Sequence, residues 1–480
     1  MTRSAVGPGM ILVLMTSVVL LSCGSSGTTA PLAAPGISSV VITPITGMQS
    51  GRAQAVAIQT DHKIVAAGTA YNGTRNLFAL TRYNEVDGSL DTNFNGAGMV
   101  TTAIGSVDDQ AQALAIQSSD QKLVVAGFSY DTVKNHYLFA LARYNTDGSL
   151  DTAGFGSGAG FVTTEIGLLD DRAFAVGIQS DGKIVAAGYS SVTTSTGAQG
   201  RVALVRYNTD GTLDTSFNGT GLVTTTIVVP PPPPPFPSIP PTSAAAFALA
   251  IQDGRLVVAG VADQVPATTG SKTTLQDQFL VVCYKILTGD NTDGQPDASF
   301  NHTGIVMTAI GTVRDQAHAV AIQPDGKVVV AGASSATQTT VALVRYNADG
   351  SLDTSFGTMG KTTTAILSGA VAFALAVQAD GKLVAAGTAY NNTYGEFALV
   401  RYDAKTGDLD GKFGSAGKVN TAITYGAEAF GLAIQPDDGK LVAAGFSHGF
   451  DAQTQAQLPD QFTLARYETT GKLDAAFVTP

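Results

Sequence analysis

Residues 317–366 read AHAVAIQPDGKVVVAGASSATQTTVALVRYNADGSLDTSFGTMGKTTTAI. Four short runs stand out: AHAVAIQ (317–323), KVVVAG (327–332), VALVRY (341–346) and KTTTAI (361–366). Each is rich in β-branched or small residues and bounded by Gly, Asp or Asn, the signature of strands. Asp325-Gly326 between the first two is a hairpin signal, and Asn347-Ala348-Asp349-Gly350 after the third is a turn cluster. The first two runs are apolar on both parities, as a strand is when both faces of its sheet are covered.

The same pattern recurs along the chain. The Gln that ends the first run falls at Gln59, Gln117, Gln179, Gln252, Gln323, Gln378 and Gln435, with spacings of 58, 62, 73, 71, 55 and 57 residues. Seven copies at a near-fixed period predict a repeat architecture rather than separate domains. The expected fold is all-β: a seven-bladed β-propeller of four-stranded antiparallel blades over residues 37–480. The copies lie at about 52–104, 110–166, 172–227, 244–310, 316–366, 371–423 and 428–477. An open solenoid would use shorter coils, roughly 20 to 30 residues. Two smaller rings would need a break, and the polyproline stretch 230–241 is read as an insertion within one ring. The seventh copy lacks a fourth strand, and 38–43, within a strand segment 37–45, looks like the missing piece. Pairing of the N-terminal strand with the last blade is therefore expected to close the ring and remove an exposed edge. The alternative phase makes 37–94 a complete first blade. The Ala-rich run is expected innermost, where small side chains fit near the axis.

The units DGKxVVAG…FALVRYNxDGSLDTSFG resemble the delta-60 repeat family of bacterial propeller repeats, over roughly residues 37–480. The resemblance implies a β-propeller and no particular activity. The fourth copy departs most, with FLVVCYKI in place of FALVRYN and NTDGQPDASF in place of NADGSLDTSF.

Composition agrees with short strands and tight turns: 54 Gly, no Trp and 14% charged residues. A net charge of −11 without a basic stripe argues against a nucleic-acid partner and against electrostatic docking on anionic lipid. At the N-terminus, Arg3 and the apolar run 10–21 fit a signal peptide over 1–22 and are too short to span a bilayer. Leu20-Leu21-Ser22-Cys23-Gly24 resembles the lipobox of bacterial lipoproteins. That resemblance implies cleavage before Cys23, lipidation of Cys23, a flexible tether over 23–36 and the membrane as a partner through the anchor. Gly24 rather than Asp after the Cys implies the outer membrane of a Gram-negative envelope; plain secretion is the alternative. Cys283 is then the remaining thiol, and among Val281, Val282 and Tyr284 it reads as a small buried hydrophobe.

Arg82, Arg143, Arg206, Arg345, Arg401 and Arg466 hold one position in six copies, and Asp91, Asp151, Asp214, Asp297, Asp353, Asp410 and Asp474 hold another in all seven. Such recurrence is expected of structural Arg–Asp pairs tying the last strands of a blade to the loop that follows. In the fourth copy Cys283 stands where the Arg should be, and Lys285 is the nearest substitute partner for Asp297.

No catalytic residue is expected. Gly445-Phe446-Ser447-His448-Gly449 matches G-x-S-x-G, but other copies read GFSYD and GYSSV at that place, without the strand–turn–helix a nucleophile elbow needs. Gly360-Lys361-Thr362 resembles the end of a phosphate loop, but Ser355 stands where that motif needs Gly. The five His residues have no zinc spacing. Asp290, Asp293 and Asp297 come nearest to a calcium loop yet lack its alternating ladder of oxygens. No cofactor and no metal are expected. Glu165, Arg314 and His318 are polar residues off the repeat pattern, and they are scattered.

Antiparallel order puts the loops after the second and fourth strands on one face, opposite the Asp-Gly turns. The first set (71–76, 130–137, 190–200, 262–278, 390–396 and 448–461) differs in every copy. The second contains Asp108, Asp109, Asp170, Asp171 and the polyproline insertion. Insertions on repeats collect at binding faces, so exposed Tyr71, Tyr130, Tyr137, Tyr390, Tyr394 and Phe450 are the expected anchors for a protein or glycan ligand. The expected role is an envelope-anchored, non-enzymatic binding or scaffold module. The alternatives are a propeller enzyme, a lyase or hydrolase acting on glycans from an axial site, and a calcium-stabilised structural ring.

Overall fold

The computed structural model describes residues 39–478 apart from 196, 229–242, 253, 270–271, 287–292, 424 and 452–455. The expectations for the signal peptide, Cys23, the tether, Asp290 and the polyproline insertion lie outside the described residues. The fold is all-β, with a single 3-10 turn at Gly156–Gly158 among the described residues. None of these residues belongs to a helix long and apolar enough to cross a membrane.

Each copy supplies antiparallel strands in the order of the chain. In the first, Ser50–Ile58 pairs with Ile64–Tyr71, that with Asn76–Tyr83, and that with Met99–Thr102. Five sheets of four strands and one of eight result. The larger sheet holds the fourth and fifth copies, joined by one parallel pair, Asp277↔Arg314. The last sheet is completed from the other end of the chain. Val40–Thr43 lies against Ala456–Tyr467, with Val40 opposite Ala465 and Thr43 opposite Phe462. The alternative phase, with this strand in the first copy, is thereby excluded.

The Ala-rich strands lie side by side in chain order, and Ala427–Ile434 of the seventh copy packs against Ser50–Ile58 of the first. All seven carry a β-bulge, at the middle of an A-x-A motif in six copies and of Ala429-Phe430-Gly431 in the seventh, where the register skips Gln54, Gln112, Phe174, Phe247, His318, Phe373 and Phe430. The bulge explains the Gly of each second strand. It swings a carbonyl of the inner strand so close that a Cβ on Gly332 would lie 2.0 Å from the Gln316 oxygen, and one on Gly68 2.0 Å from that of Arg52. No side chain fits there.

Packing joins neighbouring copies. Val65, Phe78 and Leu80 of the first copy share a core with Leu123, Val125 and Ala142 of the second. Val442, Phe462 and Phe477 of the seventh share one with Ala53, Ile64 and Tyr83 of the first. Each fully buried Val, Leu, Ile or Phe among them contributes about 1.5–3 kcal/mol. A buried hydrogen bond repeats at every junction: the Tyr ending each third strand meets a Thr on the outer strand of the preceding copy. Tyr144 to Thr102 is 2.8 Å, Tyr346 to Thr308 is 2.7 Å and Tyr467 to Thr421 is 2.8 Å. Burial raises the Tyr83 hydroxyl to about 12, so the proton stays on the phenol.

Candidate functional site

The two faces differ in construction. On the face of the Asp-Gly turns, six arginines form a frame. Nε donates to the carboxylate of the same copy: Arg82 to Asp91 at 2.9 Å, Arg143 to Asp151 at 2.8 Å, Arg206 to Asp214 at 2.6 Å, Arg345 to Asp353 at 2.8 Å, Arg401 to Asp410 at 2.9 Å and Arg466 to Asp474 at 2.7 Å. Sequence reasoning missed what the far end of each guanidinium does. It reaches the turn of the next copy, Arg82 to the Thr146 carbonyl, Arg143 to that of Thr209 and Arg401 to that of Thr469. Arg466 crosses from the last copy to the first, donating to the Glu85 and Val86 carbonyls. Every one of these guanidinium groups also lies over a buried Phe ring, from 4.5 Å for Phe217 to 4.8 Å for Phe94. Burial alone would raise the Asp214 carboxyl, but hydrogen bonds from Ser216 and Lys183 and the Arg206 charge outweigh it and hold the pKa at about 2.

The fourth copy corrects one expectation. Lys285 does not replace the missing arginine; its backbone N–H bonds the Gln295 carbonyl. Arg255 takes over the arginine's carboxylate and carbonyl contacts, though not its place over the Phe ring, from the position that is Lys in the other copies. Its Nε lies 3.7 Å from Asp297 and its Nη1 donates to the Ala348 carbonyl of the next copy at 2.8 Å. A residue at the start of the second strand faces the same carboxylate as one at the end of the third, which is why the swap works. The Asp series that suggested calcium has turn chemistry of its own. Asp349 accepts the Ser351 N–H and hydroxyl at 3.0 and 2.6 Å, and Asp293 accepts Arg206 Nη2 at 3.1 Å. Among the described residues no cluster of His, Cys, Asp or Glu could hold a metal ion.

On the opposite face the two loop sets touch. Asp108 accepts Asn76 Nδ2 and the Tyr137 hydroxyl, both at 2.7 Å, and Lys134 meets Glu165 at 2.6 Å. Asp109, Asp171 and Asp315 are buried and hold the loop before the inner strand by accepting backbone N–H groups, Ile104 to Asp109 at 2.9 Å, Ile166 to Asp171 at 2.7 Å and Ile310 to Asp315 at 2.7 Å. Of the six expected aromatic anchors, Tyr390 is exposed, while Tyr71, Tyr130, Tyr137 and Tyr394 are half-buried. The expectation that all were exposed fails because these rings lie against loops of their own face. Tyr137 packs on Tyr130 at 5.1 Å and under Arg172 at 4.3 Å. The Phe450 side chain lies outside the described residues. Among the off-pattern polar residues, Glu165 meets Lys134, Arg314 meets Asp277 at 3.1 Å, and His318 sits elsewhere, so they form no common site.

The bulge residues meet around the axis instead. Phe174 contacts Phe247 at 5.5 Å, Phe247 contacts His318 at 5.5 Å, His318 contacts Phe373 at 5.1 Å and Phe373 contacts Phe430 at 4.8 Å. This arc of rings is interrupted at Gln54 and Gln112, which occupy the same position in the first two copies. Enclosure between two Phe rings pushes His318 down to about 4, so it is neutral at pH 7. Towards the variable loops the arc is flanked by charge. Arg172 lies over Phe128 at 5.0 Å, and Arg52 over Phe446 at 4.4 Å. Arg52 Nε donates to Asp460 at 2.6 Å, and the other oxygen of Asp460 lies 2.6 Å from His448 Nδ1. Glu428 stands beside them, its pKa raised by burial and by Asp460 and lowered by Arg52 and His448, with burial prevailing. The signal for the arc was in the sequence as the variable letter of A-x-A, but alternation alone placed that letter on an ordinary strand.

A family model described as "Domain of unknown function (DUF5122) beta-propeller" matches residues 59–94, 118–153, 179–217, 323–356 and 378–413. The chain has a β-propeller fold. No curated protein matches it. Among solved structures it is similar to a Dyadobacter fermentans DSM 18053 protein of unknown function, with 12% identity over 89% of this chain and 97% of that one, at a TM-score of 0.39. It is also similar to the polysaccharide lyase Uly1, with 12% identity over 86% and 89% and a TM-score of 0.41. A PL25 ulvan lyase bound to -[GlcA(1-4)Rha3S]- gives 10% identity over 89% and 96% and a TM-score of 0.45. Likenesses this distant say nothing of activity.

Proposed function

We propose that this β-propeller has seven blades and works as an envelope-anchored, non-enzymatic binding module whose ligand, a glycan, enters the axis from the variable-loop face. The arc of Phe174, Phe247, His318, Phe373 and Phe430 carries the reading. Phe174, Phe247, His318 and Phe373 are half-buried and Phe430 is buried beside them; such rings in contact present flat apolar surface, on which the C–H faces of sugar rings stack. Gln54 and Gln112 supply amides at the same level for hydroxyl groups. Seven blades are supported by the seven Gln landmarks and by inner strands that run in chain order from the first copy back to it. Anchoring rests on the lipobox-like Leu20-Leu21-Ser22-Cys23. Binding without turnover rests on the charged groups being engaged with one another, Arg52 and His448 on Asp460 and Arg172 on Asp170.

The second reading, an enzyme acting on a glycan, draws on His448, Asp460, Arg52 and Glu428 standing together where the first and seventh copies meet. One experiment serves both. Calorimetric titration of the chain with neutral and uronate-bearing polysaccharides, in parallel with a reducing-end assay, is expected to show binding without new chain ends. Phe247→Ala with Phe373→Ala is expected to weaken binding by about tenfold or more. Binding unchanged in that variant would sink the axial site, and steady release of reducing ends lost in His448→Ala would favour the enzyme.

A further inference from the structure

In six copies a guanidinium fills one place in the frame, over a buried Phe ring and beside the Asp of its own copy. In the fourth copy that place belongs to Cys283, whose short side chain stops before it. A cavity of about 240 Å³ is left, lined by Arg255, Cys283 and Phe300 of this copy and Ile322, Pro324 and Gly326 of the next. Its floor therefore keeps the ring on which the sister arginines lie.

The charge balance differs from that of five of the six sisters; in the sixth, Asp410 meets one basic group, Arg401, among the described residues. Five of the sister carboxylates each meet two basic groups. They are Lys63 and Arg82 on Asp91, Lys122 and Arg143 on Asp151, Lys183 and Arg206 on Asp214, Lys327 and Arg345 on Asp353, and Lys440 and Arg466 on Asp474. Asp297, 6% exposed, has Arg255 as its basic partner among the described residues, at 3.7 Å. Arg255 also serves the Ala348 carbonyl and the Ser299 hydroxyl, so it spans two roles and leaves the space over Phe300 open. The thiol itself is no reactive centre: burial pushes Cys283 up to about 12.

We propose that this vacated place is a socket for an alkylguanidinium cation, either a small alkylguanidine or the head of an arginine side chain. A planar guanidinium stacks on an aromatic face and is weakly hydrated, so it enters a partly apolar cavity more readily than an ammonium. It would occupy the position that six residues of this same chain occupy elsewhere and bring the positive charge beside Asp297 back to two. The socket opens beside the turn at Pro324 and Gly326, on the face away from the variable loops, so it stands independently of the glycan reading.

The test uses ethylguanidinium chloride at low millimolar concentration, with tetramethylammonium chloride at equal ionic strength as control. Binding is read by saturation-transfer NMR and by Tm. Saturable binding with a Tm rise of about 1–3 °C is expected for ethylguanidinium. Cys283→Arg, which gives the fourth copy the residue of its sisters, is expected to abolish both signals, and Cys283→Ala to leave them. Asp297→Asn is expected to weaken binding about tenfold. If Cys283→Arg does not fold, Cys283→Met fills the same space without charge and is expected to block binding in its place. The tripeptide Gly-Arg-Gly separates the two sources: binding comparable to ethylguanidinium assigns the socket to a polypeptide arginine, and binding by the small cation alone assigns it to a free alkylguanidine. An equal response to tetramethylammonium, no saturable response, or binding that survives filling of the cavity would overturn the proposal.

Discussion

Tyr83 donates its hydroxyl hydrogen to Thr43 Oγ1 across 3.0 Å, and the two residues belong to different sheets that meet only because the chain returns to its start. At every other junction the Thr comes from the outer strand of the preceding copy, as Thr102 does for Tyr144. At this one it comes from Val40–Thr43, the strand that completes the seventh copy's sheet. The bond marks the seam of the ring.

Two variants measure the seam. Tyr83→Phe is expected to cost about 1 kcal/mol, the net worth of one buried hydrogen bond. Deletion of 37–46 removes Val40, Val41 and Ile45 from the core and bares the edge of Ala456–Tyr467, for an expected loss of about 5 kcal/mol or more. Urea unfolding checks both; a deletion variant with the parent midpoint would mean that the strand is dispensable.

The bulge makes its own demand. Gly332→Ala forces a Cβ against the Gln316 oxygen and is expected to destabilise by about 3 kcal/mol or more. Gly381→Ala, at a turn with φ +86° and open space around it, is expected to cost only about 1 kcal/mol. Comparable losses at the two positions would contradict the close approach.

Asp263 gives a pH signature. Burial, then repulsion from Asp277, raise its carboxyl to about 7, against a smaller lowering by Arg314. The folded state thus binds the proton more tightly than the unfolded one. This contribution is fully present below the ordinary carboxylate range and is lost as pH rises through 7. Asp263→Asn is expected to match the parent near pH 4 and to exceed it increasingly in Tm from about pH 5 to pH 8. A difference that stays flat across that range would remove the argument.

The anchor is tested by fractionation. Cys23→Ser is expected to move the protein from the membrane fraction to the soluble one, or to leave it unprocessed. Normal cleavage together with unchanged membrane retention would end the lipoprotein reading.

Much of the fold was legible because it is local. The Asp-Gly hairpins, the β-branched runs and the seven Gln landmarks need only neighbours in sequence. The bulges were not legible. A one-residue slip leaves the alternation of apolar letters intact, so Phe247 looked like an ordinary strand position and His318 like a scattered off-pattern polar residue, rather than members of an axial arc. The reach of Arg82 to Thr146 was hidden for another reason, since a contact across 64 positions depends on how copies stack. The exchange in the fourth copy could have been found: the copy that has Cys283 for Arg is also the copy that has Arg255 for Lys.

Val40–Thr43 is also where tension on an N-terminal anchor would enter the molecule. A pull on the chain ahead of Val40 reaches these four residues before any other part of the fold. They are held by pairing to Ala456–Tyr467 and by the grip of Tyr83 on Thr43. Peeling them away breaks their pairing to Ala456–Tyr467 and the Tyr83–Thr43 bond, and lifts Val40 and Val41 out of the core. A propeller tethered by its N-terminus would therefore meet load first at its own fastening, at the clasp rather than within a blade.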